Sequence, residues 1–442
     1  MRPAARRCPA DERGPLSVAV VLPGGGARGA YEVGALSVLL PALEARGERV
    51  TIACGTSVGA INAAVFAALA HLPAAEQGEA MVERWRSLRK GDFVSRIVGP
   101  ATIRNALRLS ADALGVPGLP AGSLLDPAPL HRSLDRWIDW DDLRRNLRRG
   151  SIEVACTIAT SLAAGVPVAF VDGRRPAPRT AGHGLRYVKT RLAAEHVQAS
   201  AAIPLLFPPV RVRRPASVAG AYVDGATRLN TPIKPALALG AKRVIVIAFE
   251  PLDRPGARGV SGRPRLTDVA ATILDGLLVD QVVDDVHRLA AINAFFGETP
   301  EAALSAAARG YRTVRGRAQY RRVPYALVAP AEPGELGRLA GEVLDARHGS
   351  VRALLDPDYA LLSLLLGRGR ATTAELLSFL LFDEAYIERL IAAGRKDAQR
   401  WLDRHPRFWC SDPSHDLGIA ADDGNTAREH QALEEFRLLK RR

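Results

Sequence analysis

Over the first half of the chain, short apolar runs that end in glycine alternate with segments of helical period. Residues 17–22 (SVAVVL) are rich in valine and stop at Pro23 and three glycines. That pattern predicts a buried strand feeding a turn. Residues 31–43 carry apolar side chains at helical spacing. Residues 49–54 (RVTIAC) predict a second strand, again stopped by glycine, and 58–70 is Ala-rich and helical. Residues 152–159, 167–171, 221–223 and 244–249 predict further strands. Strands buried on both faces and separated by helices predict an α/β fold with a largely parallel sheet between helical layers.

The rest of the chain has a different texture. Residues 92–130 mix Gly, Pro and short apolar stretches, and read as an insertion over one end of the sheet. Phe93, Ile97, Leu107 and Leu114 in it suit either a lid or a core. Residues 251–266 hold Pro, Gly and Arg and read as a linker. Beyond it the chain is mostly helical by period, over 268–296 and within 362–402, with a polar stretch at 411–426. The expected division is a tail at 1–15, a main unit at 16–250, the linker, and a mostly helical region at 267–442.

With 442 residues, 48% hydrophobic and 24% charged, the chain has the composition of a globular protein with a sizeable core. Aromatics at 5% argue against a stacking-based nucleic-acid binder, and no nucleic-acid partner is expected. The net charge of +13 favours anionic partners, whether nucleic acid, phospholipid or acidic substrates, although the basic residues are scattered and mostly arginine. Cys8, Cys54, Cys156 and Cys410 form no CxxC pair, so a reducing compartment is the default. The N-terminus has no apolar signal-peptide core, and no apolar run approaches the ~18 residues of a membrane span. A cytoplasmic protein with peripheral contact at the inner membrane face is the expectation.

Two glycine-rich turns carry the candidate chemistry. The first, Gly24-Gly25-Gly26-Ala27-Arg28-Gly29, follows a strand and opens a helix. It fits GxGxxG, but the second strand ends in Cys54-Gly55, where a dinucleotide site needs an acid. No Gly-Lys-Ser/Thr follows, which excludes a P-loop. Consecutive glycines can also turn backbone N–H groups toward an anion, including a transient oxyanion. The second turn, Gly55-Thr56-Ser57-Val58-Gly59, is GxSxG between a strand and a helix, the context of a nucleophile elbow. A serine that only caps the helix fits the same pattern. Neither His131, His183 nor His196 has a motif around it that would mark a base.

Tyr222-Val223-Asp224-Gly225-Ala226 sets an aspartate directly after a short apolar strand. In the order GGGARG (24–29), GTSVG (55–59) and DGA (224–226), the chain resembles the patatin-like phospholipase family. Residues 199–209 (ASAAIPLLFPP) resemble that family's ASxAIPxxFPP segment, and 224–233 (DGATRLNTPI) its DGGxxxNxPI segment. The resemblance covers about 16–250. It implies a three-layer α/β/α patatin-like fold and a Ser–Asp dyad, with Ser57 as nucleophile and Asp224 as base. It implies an oxyanion hole from Gly24, Gly25, Gly26, Ala27, Arg28 and Gly29. Gly55, Thr56, Val58 and Gly59 would shape the elbow, and Gly225 and Ala226 the DGA turn. Arg28 would either steady the loop or meet a phosphate headgroup.

The implied activity is lipid acyl hydrolysis through an acyl-serine, of phospholipase A or lysophospholipase type, with a phospholipid at a membrane surface as substrate. No cofactor or metal enters this reading. Two alternatives stay open: a neutral-glyceride or general carboxylesterase on the same fold, and a non-catalytic membrane-surface protein.

Overall fold

The computed structural model describes residues 17–88, 128–178, 184–204, 206–251, 289, 323–348 and 378–410. The expected tail and nearly all of the expected lid, linker, 268–296 helix and 411–426 stretch lie outside the described residues.

In chain order the elements are β1 (Val18–Leu22), α1 (Gly29–Glu44), β2 (Val50–Thr56), α2 (Val58–Leu69), α3 (Ala74–Arg86), α4 (Ala128–Trp137) and α5 (Trp140–Arg149). Then come β3 (Val154–Ser161), β4 (Pro167–Gly173), β5 (Arg186–Lys189), α6 (Ala194–Ser200), β6 (Val210–Val212), β7 (Gly220–Asp224), α7 (Ile233–Ala238) and β8 (Arg243–Ile247). The C-terminal part adds β9 (Tyr325–Val328), α8 (Glu335–His348) and α9 (Glu384–Arg404).

The strands form one sheet of order β5-β4-β3-β2-β1-β8-β9. From β3 to β9 all neighbours are parallel. β4 joins β3 antiparallel, and β7 joins both β3 and β6 antiparallel. The mostly parallel centre flanked by helices is the three-layer arrangement that the resemblance implied. Every residue of β1, β2 and β3 is buried, as strands covered by helices on both faces must be. α2 is buried at every position, which explains why its sequence is apolar all round.

β9 and α9 tie the C-terminal part into this body. β9 extends the parallel sheet beside β8. α9 is capped by Asp383, whose carboxylate accepts the Ala385 N–H. It then packs along α1 at glycine contacts: a Cβ on Gly34 would lie 2.3 Å from Ile391 O, and one on Gly394 2.2 Å from Tyr31 O. The buried Tyr31 hydroxyl donates to Asp397 Oδ2 at 2.8 Å across the same seam.

β3 sets the geometry of the site. β2 lies along one edge of it, with Thr56 opposite Ile158. β4 occupies the other edge as far as Thr160. β7 pairs with Ala159, Thr160 and Ser161, so it must take the β2 side, beyond the point where β2 ends. β2 and β7 therefore run toward each other along β3 and meet end to end. Ser57 follows the last residue of one, and Asp224 is the last residue of the other.

Candidate active site

Ser57 has φ 55° and ψ −124°, a left-handed conformation that costs a non-glycine residue about 1–3 kcal/mol. It precedes α2, yet its side chain makes no capping hydrogen bond. The capping alternative therefore fails on geometry. The turn is held from several sides. The Ser57 N–H donates to Ser200 Oγ at 2.9 Å, and Ser200 Oγ donates to Ile158 O. Thr56 Oγ1 donates to Leu229 O at 3.1 Å. Both elbow glycines are forced by close backbone: a Cβ on Gly55 would meet Gly59 O at 2.0 Å, and one on Gly59 would meet Leu22 O at 2.1 Å.

The Ser57 hydroxyl instead donates to Asp224 Oδ2 at 2.6 Å. The other carboxylate oxygen, Oδ1, accepts the Ala226 N–H at 2.8 Å. The Asp224 backbone N–H donates to Ala202 O at 2.9 Å, so the ASAAIP segment fixes the aspartate in place. Both side chains are almost fully buried, Ser57 at 4% and Asp224 at 2% exposure. Burial pushes the Asp224 carboxyl up to about 7, against the opposing hydrogen bonds from Ser57 and Ala226. A carboxylate of that basicity touching a serine hydroxyl can accept its proton near neutral pH. The positive end of the α2 dipole lies at Ser57 itself.

The loop at 24–29 lies directly against the serine: a Cβ on Gly24 would come 2.9 Å from Ser57 Cβ. Some of its amides are already used. The Gly24 N–H donates to Asn230 Oδ1 at 2.8 Å. The Arg28 N–H donates to Gly25 O at 3.1 Å, and the Gly29 N–H to Gly26 O and Ala27 O, closing a short 3-10 turn. The Gly25, Gly26 and Ala27 amides have no hydrogen-bond partner among the described residues. Arg28 does not face outward. Its side chain is fully buried against Ser378 and Phe379.

Beneath the loop a buried polar network joins α1, α2 and α3. Asn62 Nδ2 donates to Gly29 O at 3.0 Å and to Glu32 Oε2 at 2.7 Å. Trp85 Nε1 donates to Asn62 Oδ1 at 3.0 Å. Burial raises the Glu32 carboxyl well above the ordinary range, and the Asn62 hydrogen bond offsets part of that rise.

His196 is engaged elsewhere. Its Nδ1 accepts the Ala193 N–H at 3.1 Å and its Nε2 meets Arg214 O at 2.9 Å. His183 lies outside the described residues, as does the side chain of His131. No cluster of His, Cys, Asp and Glu suited to a metal occurs among the described residues. Sequence reasoning assigned no role to Ser200, Asn230, Asn62, Ser378 or Phe379. Ser200 and Asn230 stand inside the segments that carried the resemblance, which was the available signal. The other three carried none.

Residues 20–237 match the family model of the patatin-like phospholipases. The matched span runs from β1 into α7 and holds both Ser57 and Asp224. Among solved structures, the chain is similar to VipD from Legionella pneumophila at 15% identity, covering 96% of this chain and 75% of that one with a TM-score of 0.35. No curated protein matches the sequence.

Proposed function

Because residues 20–237 form a patatin-like phospholipase domain, a family of lipid acyl hydrolases, we propose that this chain hydrolyses the carboxyl esters of phospholipids by a Ser57–Asp224 dyad, as a phospholipase A or lysophospholipase. The observation that carries the reading is the 2.6 Å hydrogen bond from Ser57 Oγ to an aspartate pushed up to about 7.

In the proposed cycle Ser57 Oγ attacks the ester carbonyl carbon as Asp224 takes its proton. The carbonyl oxygen becomes an oxyanion against the Gly25 and Gly26 amides and the start of α2. Asp224 returns the proton to the leaving alcohol, which departs and leaves the acyl-serine. Asp224 then takes a proton from water as the water attacks the acyl carbonyl. As the tetrahedral adduct collapses, Asp224 returns that proton to Ser57 Oγ, and the fatty acid leaves. The loop is expected to matter almost as much as the dyad, since one oxyanion donor is typically worth ~2.7–4 kcal/mol. The net charge of +13 supports an anionic lipid surface as the place of reaction. No helix among the described residues is long and apolar enough to cross a membrane.

The test is hydrolysis of a panel of diacyl phospholipid, lysophospholipid, triglyceride and a soluble p-nitrophenyl ester by wild type and Ser57→Ala. Release of fatty acid from phospholipid by wild type alone is expected. Turnover confined to triglyceride or the soluble ester would replace the phospholipid assignment with the esterase one. Equal turnover by Ser57→Ala would remove the serine from the mechanism.

A further inference from the structure

We propose that Ser378 and Phe379 are positioning residues of the active centre, holding the glycine loop through Arg28 from the far end of the chain. The inference rests on the acyl-hydrolase reading above and extends it to residues outside the family-matched span. Arg28 Nε donates to Ser378 Oγ at 2.9 Å and Nη2 to the same oxygen at 2.5 Å, across 350 positions of sequence. The guanidinium carbon stands 3.9 Å from the centroid of the Phe379 ring, in cation–π geometry. A second point of the loop rests on the same residues. Gly26 has φ +57°, and a Cβ there would come 2.1 Å from Phe379 O.

These contacts bracket the Gly25, Gly26 and Ala27 amides, which the loop leaves over. Gly25 O accepts the Arg28 N–H, and Gly26 lies against the Phe379 carbonyl, so the turn carrying these amides is held at its two ends. The anchor is itself fixed. Five residues after Phe379 the chain enters α9, which packs on α1, the helix that starts at the end of the loop. A buried guanidinium that loses a hydrogen-bond acceptor must shift or recruit another partner. The Arg28 N–H closes the turn onto Gly25 O, so a shift that reaches its backbone is passed to the turn. Small displacements of donors that act on a developing charge reduce turnover more than they reduce substrate binding.

The experiment compares Ser378→Ala, Ser378→Thr and Phe379→Leu with wild type, using p-nitrophenyl butyrate for kcat and KM. An aryl trifluoromethyl ketone, which forms a reversible tetrahedral adduct, gives Ki, and thermal unfolding gives Tm. In Ser378→Ala, kcat is expected to fall about 10–100-fold with KM nearly unchanged, and Ki to rise by the same factor. Ser378→Thr, which keeps the hydroxyl, restores both. Unchanged kcat and Ki in folded Ser378→Ala overturn the proposal. So does a loss that appears in KM alone, or one that Tm accounts for and Thr does not rescue. If Ser378→Ala does not fold, Phe379→Leu is read by the same criteria. A wild type that neither turns over the ester nor binds the ketone removes the underlying reading, and this inference with it. Turnover in wild type that Ser57→Ala abolishes, with Ser378→Ala unaffected, removes this inference alone.

Discussion

Replacing Asp224 with asparagine should abolish turnover and at the same time stabilise the fold at alkaline pH. The carboxyl is buried and its pKa rises from the ordinary 3.8 to about 7 on folding. A carboxyl with a raised folded pKa favours the native state while protonated. That stability is fully present below the unfolded pKa and is lost as pH rises through the folded one. A rise of roughly three pH units corresponds to about 4 kcal/mol, lost at about 1.4 kcal/mol per unit between about pH 4 and 7. Asparagine keeps an acceptor for the Ala226 N–H and can donate to Ser57 Oγ, but carries no charge to bury. Urea unfolding of wild type and Asp224→Asn at successive pH values from 4 to 8 isolates this group, because Glu32 and the other titrating residues are common to both chains. The two should be about equal near pH 4, with the variant more stable by about 4 kcal/mol at pH 8. The kcat/KM of wild type should rise about tenfold from pH 6 to 8 as the base ionises. A stability difference that does not change with pH would refute the buried-base argument, whatever the activity of the variant.

Gly55→Ala forces a Cβ to within 2.0 Å of Gly59 O; a loss of about 1–3 kcal/mol or more in urea unfolding is expected, together with loss of ester turnover. Asn230→Ala frees the Gly24 N–H from its acceptor; kcat should fall by about tenfold or more, measured on the soluble ester, with little change in KM. Glu32→Gln removes a buried carboxyl raised well above its ordinary range while leaving an acceptor for Asn62. Wild type and this variant should match in stability below the ordinary carboxyl range, and wild type should fall behind as pH rises; equal pH dependence in the two would contradict a buried Glu32.

What the sequence exposed of the site is what close approach dictates locally. Gly55 and Gly59 stand where a backbone oxygen would lie 2.0 and 2.1 Å from any Cβ, well inside van der Waals contact, and such positions appear as glycines on either side of a serine. Asp224 was legible as the residue that ends an apolar strand and precedes small residues. Periodicity gave the strands of the parallel centre, but it does not encode pairing direction. The antiparallel joins of β4 and β7 to β3, on which the meeting of Ser57 and Asp224 depends, were therefore not visible. The short strands β5, β6 and β9 fall below the length at which alternation gives a signal. Arg28 remained ambiguous because a charge in a glycine loop suits a headgroup as well as a strut. The structure encloses it between Ser378 and Phe379, partners that local sequence cannot reach. Asn230 and Ser200 hold the loop and the elbow over separations of 206 and 143 residues, and only their place in the segments that carried the resemblance pointed to them.

The most direct test of Ser57 as the acylated nucleophile is covalent labelling with a fluorophosphonate, followed by intact-mass and peptide mapping of the folded protein in the presence of phospholipid vesicles. One adduct on Ser57, absent from Ser57→Ala and much slower to form in Asp224→Asn, is the predicted result. An adduct on another residue, or labelling of Asp224→Asn at the wild-type rate, would contradict the dyad.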